Sequence, residues 1–369
     1  MVIFLNFAPI EFMGGAEKWM NDTAKKVGKH EETIIISVSP AIANIYGRLV
    51  LKRGYEKRAK PSELNKNIHL TLTSFLPFTS SFKKTKHYFE KSRLIYSRYE
   101  LSEYLLIFYF SGIAGIKKSI AGVHTPLVYA HPDSFFEKLH NSLYKSKLSK
   151  SVLKKVLLVH IMNLRDKNFL EKIFNLKNVL LVPNSIFISS ASNDVTDRSE
   201  KLRVLFVGEL SKRKGVDVLI KLIEKFSNMM EFTIVGDGYM KQDIEKITNN
   251  NDSISYLGHV EMGKLESIYK KHDVLLLPSR AESMSIAVLE SLSYGLYIVN
   301  SQETSFEMPN DIEYSSKTFS DYSTSLEKLA RQKSENKLNR NKIKNYAKQH
   351  FSENVINPIL FKQIFNLNV

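Results

Sequence analysis

A chain of 369 residues with 43% hydrophobic content is long enough to form two ordinary domains, each with its own core. The absence of cysteine excludes disulfide bonds, thiolate metal sites and a thiol nucleophile. The net charge of +15 arises in the first half, because residues 1–190 carry 29 Lys and Arg against 14 Asp and Glu, whereas residues 191–369 carry 24 of each sign. Such a basic half suits an anionic membrane, a nucleic acid or a polyanionic substrate, or it is a solvated basic face.

The N-terminus and the apolar runs bear on localisation. Residues 1–12 lack the basic start and the small-residue cleavage site of a signal peptide. The longest wholly apolar run, YLLIFYF at residues 104–110, is far shorter than the roughly 20 residues needed to cross a bilayer. We therefore expect a protein that is made and kept in the cytoplasm.

Short β-rich apolar runs alternate with helical patterns along the whole chain, which predicts parallel sheets built from βαβ units. The helix GAEKWMNDTAKKV directly follows the first predicted strand. The strands predicted in the first half are VIFLNFA, TIIISVS, IHLTLTSF, YLLIFYF, LVYAH, VLLVH and VLLVP.

A polar stretch at residues 189–201 interrupts this pattern and predicts a linker. A new series of strands follows, LRVLFVG, EFTIVGDG, ISYLGHV, DVLLLPS and LYIVNS, with the helices DVLIKLIEKF and KLESIYKKH among them. The sequence thus predicts an α/β protein with two doubly wound domains, residues 1–190 and 191–345. Residues 346–369 are predicted to be helical and to pack back across both domains.

Ligands of doubly wound sheets bind beyond the C-terminal ends of the strands, where loops lead into helix N-termini that attract anions. Gly14 and Gly15 precede the first helix, where the backbone can approach a phosphate or a sugar hydroxyl closely. A tight turn explains this Gly-Gly pair equally well.

The loop VGELSKRKG carries a stronger anion signal. Gly208 follows a strand, and Arg213 and Lys214 belong to three successive cations before a helix start. Cations beside the positive end of a helix match a diphosphate, and an ordinary basic loop is the less attractive alternative. Gly236 and Gly238 follow a second strand in IVGDG, but the six-residue dinucleotide fingerprint is incomplete there.

The stretch LPSRAESMSIAVLESLSYG sets Glu282 and Glu290 eight residues apart. VLLLPS ends a strand and SIAVLESLSYG is a helix that stops at Gly295, so Glu282 is expected in the loop at the ligand-binding edge. Eight helical residues rise about 12 Å and turn little more than twice, which sets both carboxylates on nearly the same side. Such a pair can bind two ends of one polyhydroxyl ligand, whereas a salt bridge inside the fold is the structural alternative for Glu290.

Together these motifs resemble the retaining glycosyltransferases of family 4, which have the GT-B fold. The spacing from Glu282 to Glu290 is similar to the E-x(7)-E signature of that family, VGELSKRKG resembles its diphosphate loop, and IVGDG and YLGHV resemble its nucleotide-side strands. The likeness covers nearly the whole chain and is strongest over residues 202–300. It implies a GT-B fold here, with two Rossmann-like doubly wound domains that face each other across a cleft. The first domain would bind the acceptor, and the second would bind the nucleotide sugar.

The resemblance also implies roles for the matching residues of the donor site. Glu290 would bind the ribose hydroxyls of a nucleotide sugar, and Glu282 would hold the transferred sugar near its reacting carbon. Arg213 and Lys214 would bind the departing diphosphate, together with the backbone at Gly15. The loops that line the donor are expected at Gly14, Gly208, Gly236, Gly238, Ser283, Met284, Ser285 and Ile286.

In the first half, LVYAHPDSFF resembles a stretch of mannosyltransferases that build lipid-linked oligosaccharides. This likeness places His131 at the sugar-facing edge as a catalytic residue beside Glu282. His124, His160 and His259 are expected to be ordinary core or surface residues.

Three departures from the family pattern bear on activity. Glu209 occupies a position where the family often has arginine, and its charge repels phosphate unless the side chain turns away. Ser283 and Ser285 replace two glycines of the usual E-G-F-G, and a later Gly-Gly is missing from NSQETSFEMP. These changes predict a reshaped donor site or, in the extreme, an inactive one.

We therefore expect a retaining hexosyltransferase that uses a UDP- or GDP-linked sugar, a glycan or lipid-linked acceptor, and neither a metal nor another cofactor, since no Asp-x-Asp motif is present. The basic, aromatic residues 82–110 are the expected docking surface for an anionic membrane, on its inner face. One alternative is a GT-B scaffold that binds nucleotide or glycan without catalysis. A nucleic-acid-directed protein is the weaker alternative, because no helix-turn-helix, RRM or zinc module is recognisable.

Overall fold

The computed structural model describes residues 1–7, 15–42, 69–129, 132, 135–188, 200–249 and 251–367. The chain divides into two compact units. The first comprises Met1–Val128, Pro132–Val182 and Pro358–Val369, and the second is made mainly of Pro183–Asn357. Most of the predicted linker, residues 189–199, lies outside the described residues. The assignment of the acceptor to the first domain and of the donor to the second stays a prediction.

The described strands of the first unit are β1 (Val2–Asn6), β2 (Thr33–Val38), β3 (His69–Leu72), β4 (Leu94–Ser97), β5 (Ser119–Gly122), β6 (Leu158–Ile161) and β7 (Val179–Leu181). They form one parallel sheet in the order β3-β2-β1-β4-β5-β6-β7. The inner strands are rich in β-branched and aromatic residues and are almost wholly buried. This is the pattern of a parallel sheet that is covered by helices on both faces.

The described helices of this unit that accompany the sheet are α1 (Gly15–Val27), α2 (Ser80–Lys91), α3 (Leu101–Lys117), α4 (Phe135–Tyr144), α5 (Lys147–Lys155) and α6 (Leu164–Lys172). The bounds of α1 agree with the predicted helix. The chain runs outward from β1 to β3 and then crosses to β4 on the other side of β1, which is the reversal of a doubly wound sheet. Because crossovers between parallel strands are right-handed, α2, α3 and α5 share one face of the sheet, with α3 between the other two.

The run YLLIFYF, predicted as a strand, belongs to α3, so that prediction is wrong. Its apolar side chains occupy two sides of a helix. Ile107 and Phe110 are buried in the core, whereas Leu105 and Phe108 are exposed. A helix that is apolar on both sides has the composition of a buried strand, and this hides its period. The strands on either side, β4 (LIYS) and β5 (SIAG), are too short and polar to be recognised.

The predicted strand LVYAH is also wrong over the part that the structure describes. Leu127, Val128 and Tyr129 form no strand there. The remainder of this run, residues 130–131, lies outside the described residues. Leu127 nevertheless contributes to the core of the first unit, which explains the apolar signal.

In the described part of the second unit, the strands are β8 (Leu202–Val207), β9 (Met230–Val235), β10 (Ile254–Tyr256), β11 (Val274–Leu277), β12 (Tyr297–Ser301) and β13 (Glu313–Ser316). They form a parallel sheet in the order β10-β9-β8-β11-β12-β13. Five of them match predicted strands, and β13 (EYSS) has too little apolar signal to be predicted. Two doubly wound parallel sheets confirm the predicted α/β fold class.

The helices described for this unit are α7 (Val216–Phe226), α8 (Lys241–Thr248), α9 (Met262–Lys270), α10 (Ile286–Ser293), α11 (Phe319–Ser334), α12 (Arg340–Phe351) and α13 (Glu353–Gln363). Helix α10 stops before Gly295, whose φ of +79° confirms its predicted role as the C-terminal stop. Over the described parts of the chain, no helix combines the length and the apolar character that crossing a bilayer requires.

The C-terminal end of the chain returns to the first unit. Helix α13 begins in the second unit, and from Pro358 onward the chain belongs to the first. The ring of Phe365 lies 5.4 Å from that of Phe4 in β1, and the Phe365 carbonyl accepts a hydrogen bond of 2.7 Å from Arg93 Nη2. Phe365 is fully buried, so these last residues are part of the first unit's core.

Candidate functional site

The loops that follow β8, β9 and β11 meet at the carboxyl edge of the second sheet. The Gly208 N–H donates to the Val235 carbonyl over 3.0 Å, and the Arg280 N–H donates to the Arg213 carbonyl over 2.8 Å. These bonds hold the three loops together. Ligands of doubly wound sheets bind at this edge.

Glycines allow these loops to approach one another. Gly215 has a φ of +75° and Gly236 a φ of +140°, which side chains rarely adopt. A Cβ atom on Gly215 would overlap the Pro278 carbonyl, and one on Gly236 would overlap the Gly208 carbonyl. Contacts within the protein therefore require glycine at both positions, whatever the loops bind.

Glu282 and Lys214 form an ion pair at this edge. Their charged atoms are in direct contact, and their side chains are only 13% and 14% exposed. The Ser279 hydroxyl donates to Glu282 Oε1 over 2.8 Å. Burial alone would raise the pKa of Glu282, but the charges of Lys214 and Arg213 outweigh it and hold the pKa below its usual value. Glu282 is therefore ionised at neutral pH beside a nearly buried ammonium group.

Arg213 joins the same cluster. Its Nη2 donates to Glu209 Oε2 over 2.9 Å, its Nη1 donates to the Ala281 carbonyl over 3.3 Å, and Nη1 lies 3.7 Å from Glu282 Oε1. Glu209 is thus turned toward Arg213 as a counter-ion. The cations Arg213 and Lys214 are balanced by the carboxylates of Glu209 and Glu282, so these four side chains together have no net charge.

Arg280 is a residue of this edge that the sequence motifs did not single out. Its Nη1 and Nη2 donate to the two carboxylate oxygens of Asp217 over 2.8 and 2.7 Å, and Nη1 also contacts the Lys212 carbonyl. The bidentate pair joins the loop after β11 to the first turn of α7, and thus holds the cationic loop in place. Its only sequence signal is an arginine between the strand VLLLPS and Glu282.

The residues that replace the family's glycines lie just before α10. The side chains of Ser283 and Ser285 are buried, and the sulfur of Met284 accepts a weak hydrogen bond from the Asn184 N–H at 3.1 Å. Ile286 is the first residue of α10, whose first N–H groups have no partner within the helix. The serine side chains therefore fill space inside the loop, next to a helix N-terminus suited to an anion.

Glu290 lies on α10 and is partly buried. Its Oε2 accepts a hydrogen bond of 2.8 Å from the Tyr269 hydroxyl, and the Tyr269 ring stacks on Tyr294 with centroids 5.6 Å apart. Burial, and then the nearby carboxylate, raise the pKa of Tyr269 well above its usual value. Tyr269 is therefore a neutral donor that fixes one oxygen of Glu290. Only residues from Ile286 onward are helical, so the predicted 12 Å helical rise between the two glutamates does not apply.

In the first unit, three side chains form a hydrogen-bonded chain near the carboxyl edge of the sheet. His160 Nε2 lies 2.8 Å from the Val182 carbonyl, which can only accept, so Nε2 carries the proton. His160 Nδ1 then accepts from the Tyr96 hydroxyl over 2.7 Å, and Tyr96 in turn accepts from His124 Nε2 over 2.9 Å. The Trp19 ring packs against the His124 ring, with the two ring centroids 4.5 Å apart. Burial lowers the pKa of both histidines, so the network is neutral.

A buried carboxylate binds the end of β1 to the end of β4. Glu103 accepts hydrogen bonds from the Phe7 N–H over 3.0 Å and from the Ser97 hydroxyl and Arg98 N–H, each over 2.7 Å. Burial raises the pKa of Glu103 to about 7, although the Arg98 charge opposes this shift. These bonds fix the end of β1 directly before residues 8–14.

The structure brings together four of the predicted residues, Arg213, Lys214, Gly208 and Glu282, at one edge of the second unit. Gly236 supports that edge, and Glu290 lies on the adjoining helix. In the first unit, Gly15 is the first residue of α1, at a helix N-terminus. His131 and Gly14 lie outside the described residues. His124 and His160, expected to be ordinary core or surface residues, both take part in the hydrogen-bonded network with Tyr96.

Comparison with known proteins adds a family and a fold. Residues 189–350 match the family described as glycosyl transferases group 1. The chain is similar to the gpi3 subunit of the phosphatidylinositol N-acetylglucosaminyltransferase of Schizosaccharomyces pombe, with 26% identity over 145 residues, 37% of this chain and 32% of that protein. The chain spans about a third or less of the length of the first curated relatives it matches.

Solved structures match over a much larger part of the chain. Sucrose-phosphate synthase from Thermosynechococcus elongatus superposes with a TM-score of 0.73 at 12% identity, and 99% of each chain is covered. The HepE protein of Anabaena, in complex with UDP-glucose, superposes with a TM-score of 0.70 at 14% identity, again over 99% of each chain. This likeness confirms the expected GT-B fold.

Proposed function

Because the chain belongs to the glycosyl transferases group 1 family, we propose that it transfers a hexose from a nucleotide-diphosphate sugar to an acceptor hydroxyl, with retention at the anomeric carbon. The observation that carries this proposal is the nearly buried pair of Lys214 and Glu282 at the carboxyl edge of the second sheet. Such a pair sets a cation for the leaving diphosphate directly beside an acceptor of sugar hydroxyl bonds.

Lys214 and Arg213 are proposed to act mainly when the diphosphate leaves. Negative charge develops on the diphosphate as its bond to the anomeric carbon breaks, and fixed cations at a helix N-terminus lower the energy of that charge. Lys214 is held in place by Glu282, and Arg213 by Glu209 and the Ala281 carbonyl. Neither cation has to be ordered during the reaction, so this part of the proposed mechanism needs no metal ion.

Glu290 and Gly15 complete the proposed donor contacts. The ribose of the nucleotide has two adjacent hydroxyls, and one carboxylate can accept a hydrogen bond from each of them. Tyr269 already orients the Glu290 carboxylate. Gly15 would add backbone N–H groups from the first turn of α1. The complex of the related-fold protein HepE with UDP-glucose supports a UDP-linked sugar as the donor.

The acceptor is proposed to be lipid-linked. The relative from Schizosaccharomyces pombe is named for transfer to phosphatidylinositol, and this supports a lipid-linked acceptor at a membrane surface. The basic excess of residues 1–190 suits an anionic inner membrane face. His131 stays the predicted catalytic residue of this half, and the neutral His124 near the carboxyl edge is a second candidate.

A scaffold that binds nucleotide sugar without turnover is the alternative that a specific observation favours. Glu209 pairs with Arg213 and cancels its charge, where the family often has a second cation. The buried side chains of Ser283 and Ser285 also occupy a loop that is usually glycine-rich. If the Glu209–Arg213 pair and the positions of the two serines stay unchanged when the ligand binds, both features weaken donor binding or turnover.

A screen of UDP- and GDP-linked hexoses tests the proposed function without knowledge of the acceptor. We expect one donor to bind in titration calorimetry and to release its sugar slowly to water, because the cations stabilise the departing diphosphate whether an acceptor hydroxyl or water attacks the sugar. The Lys214→Met variant serves as a control. Binding without sugar release from any donor, even with candidate acceptors added, supports the scaffold. Binding of duplex DNA but of no nucleotide sugar supports the nucleic-acid alternative.

Replacement of Glu209 tests how its pairing limits the donor site. Glu209→Gln keeps the shape of the side chain but removes the charge that neutralises Arg213. We expect the affinity for a nucleoside diphosphate to rise by roughly 1.5- to 5-fold, the effect of one partly exposed ion pair. The measurement is calorimetry at low salt, with Glu327→Gln as the matched control, because Glu327 pairs with Lys225 at an exposed site. Unchanged or weaker binding would show that Glu209 does not compete with the diphosphate.

A further inference from the structure

One side of α3 exposes large apolar residues to solvent. Leu101, Leu105, Phe108 and Tyr109 recur at helical spacing, and Leu105 and Phe108 are 62% and 55% exposed. The opposite side of the same helix is buried in the core through Ile107 and other residues. A helix that is apolar all round is normally enclosed by protein or lipid. In the first unit, the described residues leave this outer side open.

The apolar side of α3 continues onto its neighbours. The Tyr109 hydroxyl donates to the Phe75 carbonyl over 2.9 Å, which holds the loop before α2 against the helix. That loop also exposes Leu76 and Phe78, of which Phe78 is 74% exposed. At the other end of α3, Leu101 lines one apolar groove together with side chains of α4 and α5, including Leu148. A continuous apolar strip thus runs from the loop before α2, along α3, to the start of α5.

Basic helices border this strip. The helices α2 and α5 both pack against α3 and lie on either side of it. The sequence of α2 carries four lysines and one glutamate, and that of α5 carries four lysines and no acidic residue. The exposed members include Lys83, Lys84, Lys86, Lys147 and Lys154. Apolar side chains bordered by lysines on both sides complement a surface that has an apolar interior beneath a layer of negative charge.

We propose that the apolar strip on α3, with the lysines of α2 and α5, docks on an anionic lipid bilayer. The large apolar side chains enter the boundary between headgroups and acyl chains, and the lysines attract acidic headgroups. Aromatic rings such as Phe78 and Tyr109 suit this boundary region. The inference deepens the membrane part of the proposed function and rests on it for its purpose. Within the docking surface expected at residues 82–110, it selects the exposed side of α3 and the lysines of α2. It adds the loop before α2 and helix α5.

Charge argues for lipid over a second copy of this chain. Two copies meeting through this strip would bring lysine-bearing helices toward one another, because a twofold interface places the same patch on both partners. Like charges opposed in this way reduce affinity. An anionic bilayer removes that repulsion and covers the apolar strip at the same time.

Vesicle flotation tests the proposal on the full chain. The vesicles contain phosphatidylcholine with roughly 30% phosphatidylglycerol, or phosphatidylcholine alone, at about 0.1 M and about 0.5 M salt. We expect binding to the anionic vesicles, and at least a roughly tenfold loss in affinity at the higher salt or without the anionic lipid. Leu105→Ser with Phe108→Ser should lower the affinity about tenfold or more, because both side chains leave the apolar strip while the buried side of α3 is unchanged.

The matched control is Met229→Ser with Phe319→Ser, two exposed apolar residues of the second unit, which should bind vesicles like the wild type. Nucleotide-sugar binding, measured on the same variants, separates this proposal from the proposed function. Wild-type protein that binds donor but not anionic vesicles overturns the docking surface alone. Vesicle binding that the Leu105 and Phe108 substitutions leave intact overturns it as well. A dimer in sedimentation velocity that these substitutions dissociate, without vesicle binding, assigns the strip to a second copy instead.

Discussion

Glu282→Gln will lower kcat/KM for sugar transfer by roughly two to three orders of magnitude, the effect expected when one fixed electrostatic contact to the reacting group is lost. The change removes the charge that orients Lys214 while it keeps the size of the side chain. It also removes the carboxylate proposed to hold the transferred sugar. Glu327→Gln, which breaks an exposed ion pair with Lys225, is the control and should keep full activity. Near wild-type turnover by Glu282→Gln contradicts the proposed site.

Stability has to be separated from chemistry in this experiment. A single substitution leaves the other charge of a nearly buried pair without its partner, which costs about 3 kcal/mol of folding free energy. The double variant Glu282→Gln with Lys214→Met removes both charges and should recover much of that stability. It should nevertheless remain inactive. Recovery of activity together with stability would show that the pair serves the fold and not the reaction.

The pH dependence of the reaction follows from the same pair. A carboxyl whose pKa is lowered in the folded state stays ionised until the pH falls through that lowered value. Glu282 should therefore stay charged from about pH 8 down to about pH 5, since the usual pKa of a glutamate is about 4.3. Any loss of the wild-type rate within that range must come from another group.

Glu290→Ala will weaken binding of the nucleotide by about 100-fold, because two hydrogen bonds from ribose hydroxyls to a charged acceptor are lost. Tyr269→Phe should weaken it only about fivefold, since it removes the donor that orients the carboxylate but leaves the charge. Titration calorimetry with UDP and GDP measures both effects. A 2′,3′-dideoxy nucleotide provides the matched comparison, because it lacks the hydroxyls that Glu290 is proposed to bind. If Glu290→Ala weakens binding of the ribose nucleotide and of its 2′,3′-dideoxy analogue equally, a contact between Glu290 and the ribose hydroxyls is contradicted.

The sequence predicted the loops of the candidate site well, because their spacing to neighbouring strands is local. Lys214, Gly208 and Glu282 each follow a strong apolar strand, and parallel strands end at the same edge of a sheet. The partners of these residues were not predictable. Arg280 binds Asp217 from 63 residues away, and the partner of Glu290 is a tyrosine 21 residues earlier on another helix. Only the fold brings such residues into contact.

The fold of the first unit was harder to predict for a related reason. Its strands β4 and β5 have four residues each and include serine or glycine, so their apolar signal is weak. The apolar run after β4 gives a strong signal, but that signal comes from a helix with a buried side and an exposed one. A rule that reads apolar character as burial fails there, because the exposed side chains are apolar as well.

The path of the chain between the units affects how this protein folds during synthesis. The first unit begins at Met1, yet Phe365 occupies a buried position in its core against Phe4. On the ribosome, the first 182 residues therefore emerge without a piece of their own interior, and they cannot complete it until the whole second unit has been translated. An expressed fragment that ends near Val182 would expose apolar surface that the last helix covers. Complementation by a peptide of residues 353–367, supplied in trans, would show how much of the folding energy this late segment contributes.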